Sequence, residues 1–379
     1  MNTELIKAAE EFKAWFVNDA LPLWSTTAVN VETGASYERL LRDGKPDLLC
    51  NVRVRVQARQ IFVFCLAQEL GWMQGGKVVV ENMAAFVQKY GRHESGSGYV
   101  HLLDAANVVV DNKQDLYDHA FHMLANIWCY RVFNDDAALA EAEAIYSFIE
   151  NKFSSPYGGW LEGDYAFDYR RQNPHMHLFE AFIAGYEATE DSVWLSRATA
   201  MFSLFEKHFY NSENQALLEY FNDDWSPVNG KAGSIIEPGH MMEWVWLLRN
   251  YSRLSGVNVN AYANTLYDNA LNCGLTKNGL LFDELLLDGS VEKGSKRCWP
   301  MTELIKASIA QARVGHIDCV AVAVAAMQNL QKVYLNVKTP GAYIDQLDEH
   351  DQVVADVAPA STLYHLIVAA AEVCAYLDY

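Results

Sequence analysis

Asn173-Pro174-His175-Met176-His177 places a helix-start signal and two histidines at the head of an apolar helical stretch. Five further polar clusters sit at near-equal intervals along the chain: Gln57-Ala58-Arg59, Tyr117-Asp118-His119, Glu237-Pro238-Gly239-His240, Trp299-Pro300-Met301-Thr302-Glu303 and Ser361-Thr362-Leu363-Tyr364-His365. Counting from Arg59 to His119, His177, His240, Glu303 and His365 gives steps of 60, 58, 63, 63 and 62 residues. A period that long and steady marks a repeat architecture of one helical hairpin per repeat. Six hairpins can close into a ring, and residues at corresponding places then converge at one end of it.

Helical periodicity supports that reading. In residues 2–21, Leu5, Ala8, Ala9, Phe12, Trp15 and Phe16 recur at three- and four-residue steps and share one face. Comparable stretches cover 52–71, 76–90, 115–133, 136–152, 174–189, 191–210, 238–255, 259–273, 300–313, 317–334 and 360–377. The expected fold is all-α: an (α/α)6 barrel of six helical hairpins, with residues 1–379 as a single catalytic domain. Residues 217–221, 279–282 and 343–347 are predicted to form small strands on the loops. No Pro/Ser-rich linker divides the chain.

With 51% apolar residues the chain can bury a large core. The balance of 29 basic and 48 acidic residues, a net charge of −19, argues against nucleic acid or anionic membrane as partner. A small molecule fits better. Seven cysteines without Cys-x-x-Cys spacing and an N-terminus without a basic-then-apolar order predict a reduced, cytoplasmic protein. The run 319–327 is too short to span a bilayer. The oligomeric state expected is a monomer or a homodimer.

Every cluster lies on an even-numbered stretch, and in a ring of hairpins alternate helices line the inside. The inner wall is therefore predicted to present Arg59, Tyr117, His119, Asn173, His177, His240, Glu243, Trp299, Glu303 and His365 together. That wall is too polar for an inert core, because buried ionisable groups without a task cost stability. Asn173-Pro174 reads as an N-cap followed by Pro at the first helical position, and Pro238 and Pro300 suggest similar starts. Histidines in such first turns feel the positive end of the helix dipole, which favours the neutral base. His-x-His and His-x-x-His spacings occur, but no His-Glu-x-x-His or Cys/His signature accompanies them, so neither metal nor cofactor is expected.

Asn173-Pro174-His175-Met176-His177, Glu237-Pro238-Gly239-His240-Met241-Met242-Glu243-Trp244 and Tyr364-His365 resemble the N-acylglucosamine 2-epimerase family. Tyr117-Asp118-His119-Ala120-Phe121 and Gln57-Ala58-Arg59 fit the same pattern in the same order, and Met301 departs from it where relatives often carry Gln. The resemblance implies two catalytic histidines, His240 and His365, with Arg59 near the reacting oxygens and Tyr117, Asn173, His177 and Glu243 holding the sugar. It implies a monosaccharide substrate and proton transfer beside its carbonyl through an enediolate. The expected activity is conversion of D-mannose to D-fructose. The alternatives are a sugar 2-epimerase, or a mannose-6-phosphate isomerase with Arg53, Arg55, Arg170 and Arg171 as phosphate ligands. A glycoside hydrolase using Asp118 with Glu243 or Glu303 is more distant, as is a non-catalytic sugar-binding barrel.

Overall fold

The computed structural model describes residues 3–354 and 356–378, so Asn2 of the first expected stretch lies outside the described residues. Among the described residues are twelve helices of eleven or more residues. They are α1 (Thr3–Trp15), α2 (Val54–Glu69), α3 (Gly76–Phe86), α4 (Leu116–Phe133), α5 (Asp136–Phe153), α6 (Gln172–Thr189), α7 (Ser192–Leu204), α8 (Pro238–Ser255), α9 (Asn260–Gly274), α10 (Trp299–Arg313), α11 (Cys319–Leu330) and α12 (Leu363–Leu377). α1 continues through a π turn at Phe16–Ala20 into a short helix at Leu21–Ser25.

The even-numbered helices form an inner ring in which each packs on the next and α12 returns to α2. The odd-numbered ones form an outer ring: α3, α5, α7, α9 and α11 each back the inner helix before them, and α1 covers α11 and α12. The turns from inner to outer helix are tight. Asn134 and Glu190 end α4 and α6 in the left-handed region, at φ of 54° and 57°. The residues that follow, Asp135 and Asp191, accept backbone N–H bonds from the next helix, satisfying donors that a helix start leaves open. Aromatic side chains fill the space between the rings. Phe179 and Phe205 stack on Trp244 at 5.5 and 4.5 Å between centroids, and such pairs contribute about 1 kcal/mol beyond their buried area.

The return loops, from outer to inner helix, are long and gather over the N-terminal ends of the inner helices. Each loop pairs with the next through a short antiparallel contact. Val52–Arg53 pairs with Leu102–Leu103, Asp115 bridges Gly163, and Arg170–Arg171 pairs with Tyr220–Phe221. Ile235–Ile236 pairs with Glu284–Leu286, Lys296–Arg297 with Gln346–Leu347, and Val357–Pro359 with Arg39–Leu41. The result is a complete collar around one mouth of the barrel. Of the expected strands, 217–221 holds two, Ala216–Leu217 and Tyr220–Phe221. In 279–282 only an isolated bridge at Leu281 forms, and of 343–347 only Gln346–Leu347 is a strand.

The segment Ala360–Leu377 is long and apolar enough to cross a membrane, with a mean hydropathy of 1.4, and 67% of it is buried inside the protein. Its apolar character comes from its place in the inner wall, where a helix has neighbours on nearly every side.

Candidate active site

The first turns of the inner helices enclose a cavity of about 380 Å³ beneath the collar. Arg59, Tyr117, Asn173, His177, His240, Glu243, Trp299 and His365 line it. Trp299 stands between the two histidines, its ring 5.2 Å from that of His240 and 5.5 Å from that of His365. Gly239 permits this, since a Cβ there would lie 2.5 Å from the Trp299 ring.

Each cavity histidine is held by a carboxylate at Nδ1, which leaves Nε2 for chemistry. His365 Nδ1 lies 2.8 Å from Glu303 Oε1, His240 Nδ1 3.0 Å from Glu219 Oε2, and His177 Nδ1 3.2 Å from Glu180 Oε2. Their charge states differ. Burial outweighs the carboxylate partner at His177 and His365 and lowers both pKa values to about 4, so both rings are neutral bases. Burial also opposes the charged form of His240, but Glu219 and Glu237 together outweigh it and raise its pKa to about 10. The expectation that the helix dipole keeps His240 neutral is thus corrected: two carboxylates within 3.4 Å of Nδ1, the buried Glu219 and the half-buried Glu237, make it an imidazolium.

Arg59 donates to the Ser361 carbonyl at 3.0 Å and to the Tyr117 hydroxyl, and its guanidinium lies 4.1 Å from the Phe121 ring centroid. This clamp aims its planar donors into the cavity. Asn173 does not cap its helix. Arg171 is the N-cap of α6 and Asn173 the second residue, with its Nδ2 3.1 Å from His240 Nε2 and its Oδ1 without a partner. Turning the amide over would set that oxygen on the Nε2–H of a charged His240. Pro238 does occupy the first position of α8, and Pro300 the second of α10.

His119 stands outside this arrangement. It is fully buried, accepts the Tyr99 N–H at Nε2 (3.0 Å) and contacts the Asp115 carbonyl through Nδ1 (2.7 Å). His175 makes the same pair of contacts, to Trp160 N and the Arg171 carbonyl. The two are equivalent braces that tie a return loop to the following inner helix. Glu303 is also fully buried and reaches the cavity only through His365, and Met301 is in the core. Glu219 and Lys306 complete the site without having been expected there, and Glu237, quoted only as part of the cluster that ends at His240, joins them. Glu219 comes from a loop with no helical period, and the only signal for Lys306 is its i,i+3 spacing from Glu303.

The arginines considered for phosphate are already matched. Arg53 pairs with Glu38, Arg55 with Asp118, and Arg171 with Glu162, while Arg170 donates to three backbone carbonyls and to Ser155. Asp118 is fixed by Arg55 and His101, which removes it as a partner for Glu243 or Glu303 in glycoside hydrolysis. Three sets bring ligand-type atoms within 4.8 Å: His177, Glu180 and Glu243; Glu219, Glu237 and His240; Glu243, Glu303 and His365. In each, the histidine Nδ1 is committed to a carboxylate, and the third also faces the Lys306 ammonium.

Residues 35–369 match the model of the N-acylglucosamine 2-epimerase (GlcNAc 2-epimerase) family. A mannose-6-phosphate isomerase of Rhizobium meliloti (strain 1021) is 32% identical over 387 aligned residues, covering 97% of each chain. The crystal structure of a D-mannose isomerase superposes with a TM-score of 0.86 at 23% identity, covering 99% of this chain and 98% of the other. The cellobiose 2-epimerase of Spirochaeta thermophila DSM 6192 superposes at 0.87 with 18% identity, covering 99% and 97%. With its inner ring of helices, its paired histidines and a match that runs nearly end to end, the chain belongs to the N-acylglucosamine 2-epimerase family.

Proposed function

We propose that the protein is a sugar isomerase converting D-mannose to D-fructose, with His365 as base and His240 as acid. The observation that carries this reading is the difference in charge state between two histidines on either side of Trp299, His365 neutral and His240 cationic. A C2 proton beside an aldehyde is only weakly acidic, so its removal needs a neutral base and a donor at the carbonyl oxygen. His365 Nε2 takes the C2 proton, and Glu303 at Nδ1 stabilises the imidazolium that forms. His240 gives its Nε2 proton to the carbonyl oxygen, and Arg59 offers further donors to the negative charge that develops. The cis-enediol then takes the proton back from His365 at C1 while His240 recovers one from the C2 hydroxyl. The product is the ketose, and both histidines return to their starting states.

A cavity of about 380 Å³ suits one monosaccharide, and the matched arginines favour a neutral sugar over a phosphorylated one. The name of the D-mannose isomerase that superposes supports the neutral sugar, whereas the Rhizobium meliloti relative is named for the phosphorylated one. One observation favours 2-epimerisation as the second reading: the histidines are nearly equidistant from Trp299, so a proton delivered by His240 to the opposite face of C2 would give the epimer. Incubation with D-mannose, followed by NMR of the products, tests both. Fructose is the expected product. Glucose without fructose supports the epimerase, and no conversion overturns both readings.

A further inference from the structure

Glu303 and Lys306 sit one turn apart on α10, and neither has any exposed surface. Lys306 Nζ lies 2.6 Å from Glu303 Oε2, yet neither atom has a partner in good hydrogen-bonding alignment. Charge, more than directional bonding, ties them together. The other oxygen of Glu303 takes His365 Nδ1. Across from this pair α8 presents Glu243, itself fully buried and with Oε1 unpartnered. Two carboxyl groups that share a site do not ionise equally easily, and one of them holds its proton to higher pH.

The side on which the ammonium stands decides which one. Glu243 is pushed up by burial and then by Glu303, whereas burial of Glu303 is outweighed by Lys306 and His365, which hold it below the usual carboxylate range. The Trp246 ring, 4.0 Å from Nζ, fixes the lysine tip. The other ionisable groups turned toward this cluster are Glu180 and His177 from α6, Tyr364 and His365 from α12, His240 from α8 and Arg59 from α2.

We propose that Lys306 is a positioning residue: its ammonium keeps Glu303 a carboxylate, and through Glu303 it fixes which nitrogen of His365 carries the proton. A carboxylate at 303 accepts the Nδ1–H and leaves Nε2 bare, ready to take a proton. A neutral acid at 303 donates to Nδ1 instead and forces the imidazole proton onto Nε2, where it faces the substrate and abolishes the base. This inference rests on the isomerase reading for its kinetic test alone.

The experiment compares wild type with Lys306→Met, which has similar length but no charge, by kcat/KM on D-mannose between pH 6 and 9.5. Circular dichroism and thermal melts check the fold. The expected result is a loss of roughly 100-fold at pH 7, the low end for a positioned acid–base group. At least tenfold should return toward pH 9.5 as Glu303 ionises, while wild type stays flat. A folded Lys306→Met enzyme whose profile has the wild-type shape overturns the proposal. Glu303→Gln/Lys306→Met removes both charges, so it keeps the fold where a lone buried charge does not. With no carboxyl group left at 303 to ionise, its pH profile is expected to be flat, and a recovery toward pH 9.5 there also overturns the proposal. Imidazole ¹⁵N shifts of His365, read without any sugar, are expected to show the Nδ1–H tautomer in wild type and the Nε2–H tautomer in Lys306→Met. An unchanged tautomer overturns the proposal even if mannose proves not to be the substrate.

Discussion

Replacing Glu219 by Gln removes one charge from the acid side of the site and little else. Glu219 Oε2 receives both His240 Nδ1 at 3.0 Å and Gln172 Nε2 at 3.0 Å, and a glutamine oxygen can keep both contacts. Oε1 has no partner, so an amide nitrogen placed there displaces no bond. Two unit charges at that separation interact by about 5 kcal/mol at an effective dielectric of ~20, or roughly four pKa units. That is the size of effect needed to hold His240 near a pKa of about 10 against its burial. With Glu237 still 3.4 Å away, the His240 pKa should fall to roughly 6–7. The assay is the pH dependence of kcat/KM on D-mannose, which reports the free enzyme's acid and base. The alkaline limb should move from near 10 into the neutral range. Turnover at pH 8.5 should drop by roughly 100-fold, the protonated fraction at a pKa two units below the pH, with only a few-fold change at pH 6. An alkaline limb that stays in place, with a loss uniform across pH, would refute the acid role of His240 and leave Glu219 as a mere orienting group.

Three further outcomes are expected. His365→Asn should lower turnover by roughly 10²–10⁴-fold with an unchanged helical circular dichroism spectrum, and near-normal turnover would remove it as the base. His122, His175, His177 and His365 have pKa values lowered to about 3, 3, 4 and 4, chiefly by burial, so the stability they contribute is complete above about 6.5 and lost as pH falls through those values. Together they should cost on the order of 5 kcal/mol per pH unit between about pH 6 and 4, visible as a collapsing urea midpoint, and a flat midpoint over that range would contradict their neutral burial. Prolonged chelation followed by dialysis should leave turnover intact. Loss restored by one divalent metal would make His177, Glu180 and Glu243 ligand candidates.

The inner ring was legible in the chain because its helices are enclosed on nearly all sides. A histidine or arginine on such a helix stands out against apolar neighbours, and Arg59, His177, His240 and His365 were found that way. Spacing in sequence locates a helix more securely than it fixes a face. His119 corresponds to His175 and not to His177, and a slip of two residues turns a side chain by about 200° around the axis. The residue that does correspond to His177 is Phe121, which contacts both Arg59 and His177 in the structure. Glu219 and the collar were hidden for another reason. Strands of two or three residues carry no alternation to detect, and their pairing is set by the loops beside them. The charge of His240 was hidden as well, because it depends on Glu219, which lies 21 residues away in the chain.

The ring closes between α12 and α2, and that seam has a consequence for how the protein is made. Arg59 on one side reaches the Ser361 carbonyl on the other across 302 residues, and Trp24 reaches Gly341 across 317. Contacts this distant in sequence form late, after the entropy of the intervening chain has been lost. Arg59 and His365 flank that seam, so a ring still open lacks a working site however complete its other hairpins are. Until closure the apolar flanks of α2 and α12 stay bare to solvent, and the nascent or thermally opened barrel is most vulnerable to aggregation there. Catalytic competence and protection from aggregation therefore arrive in the same late folding step.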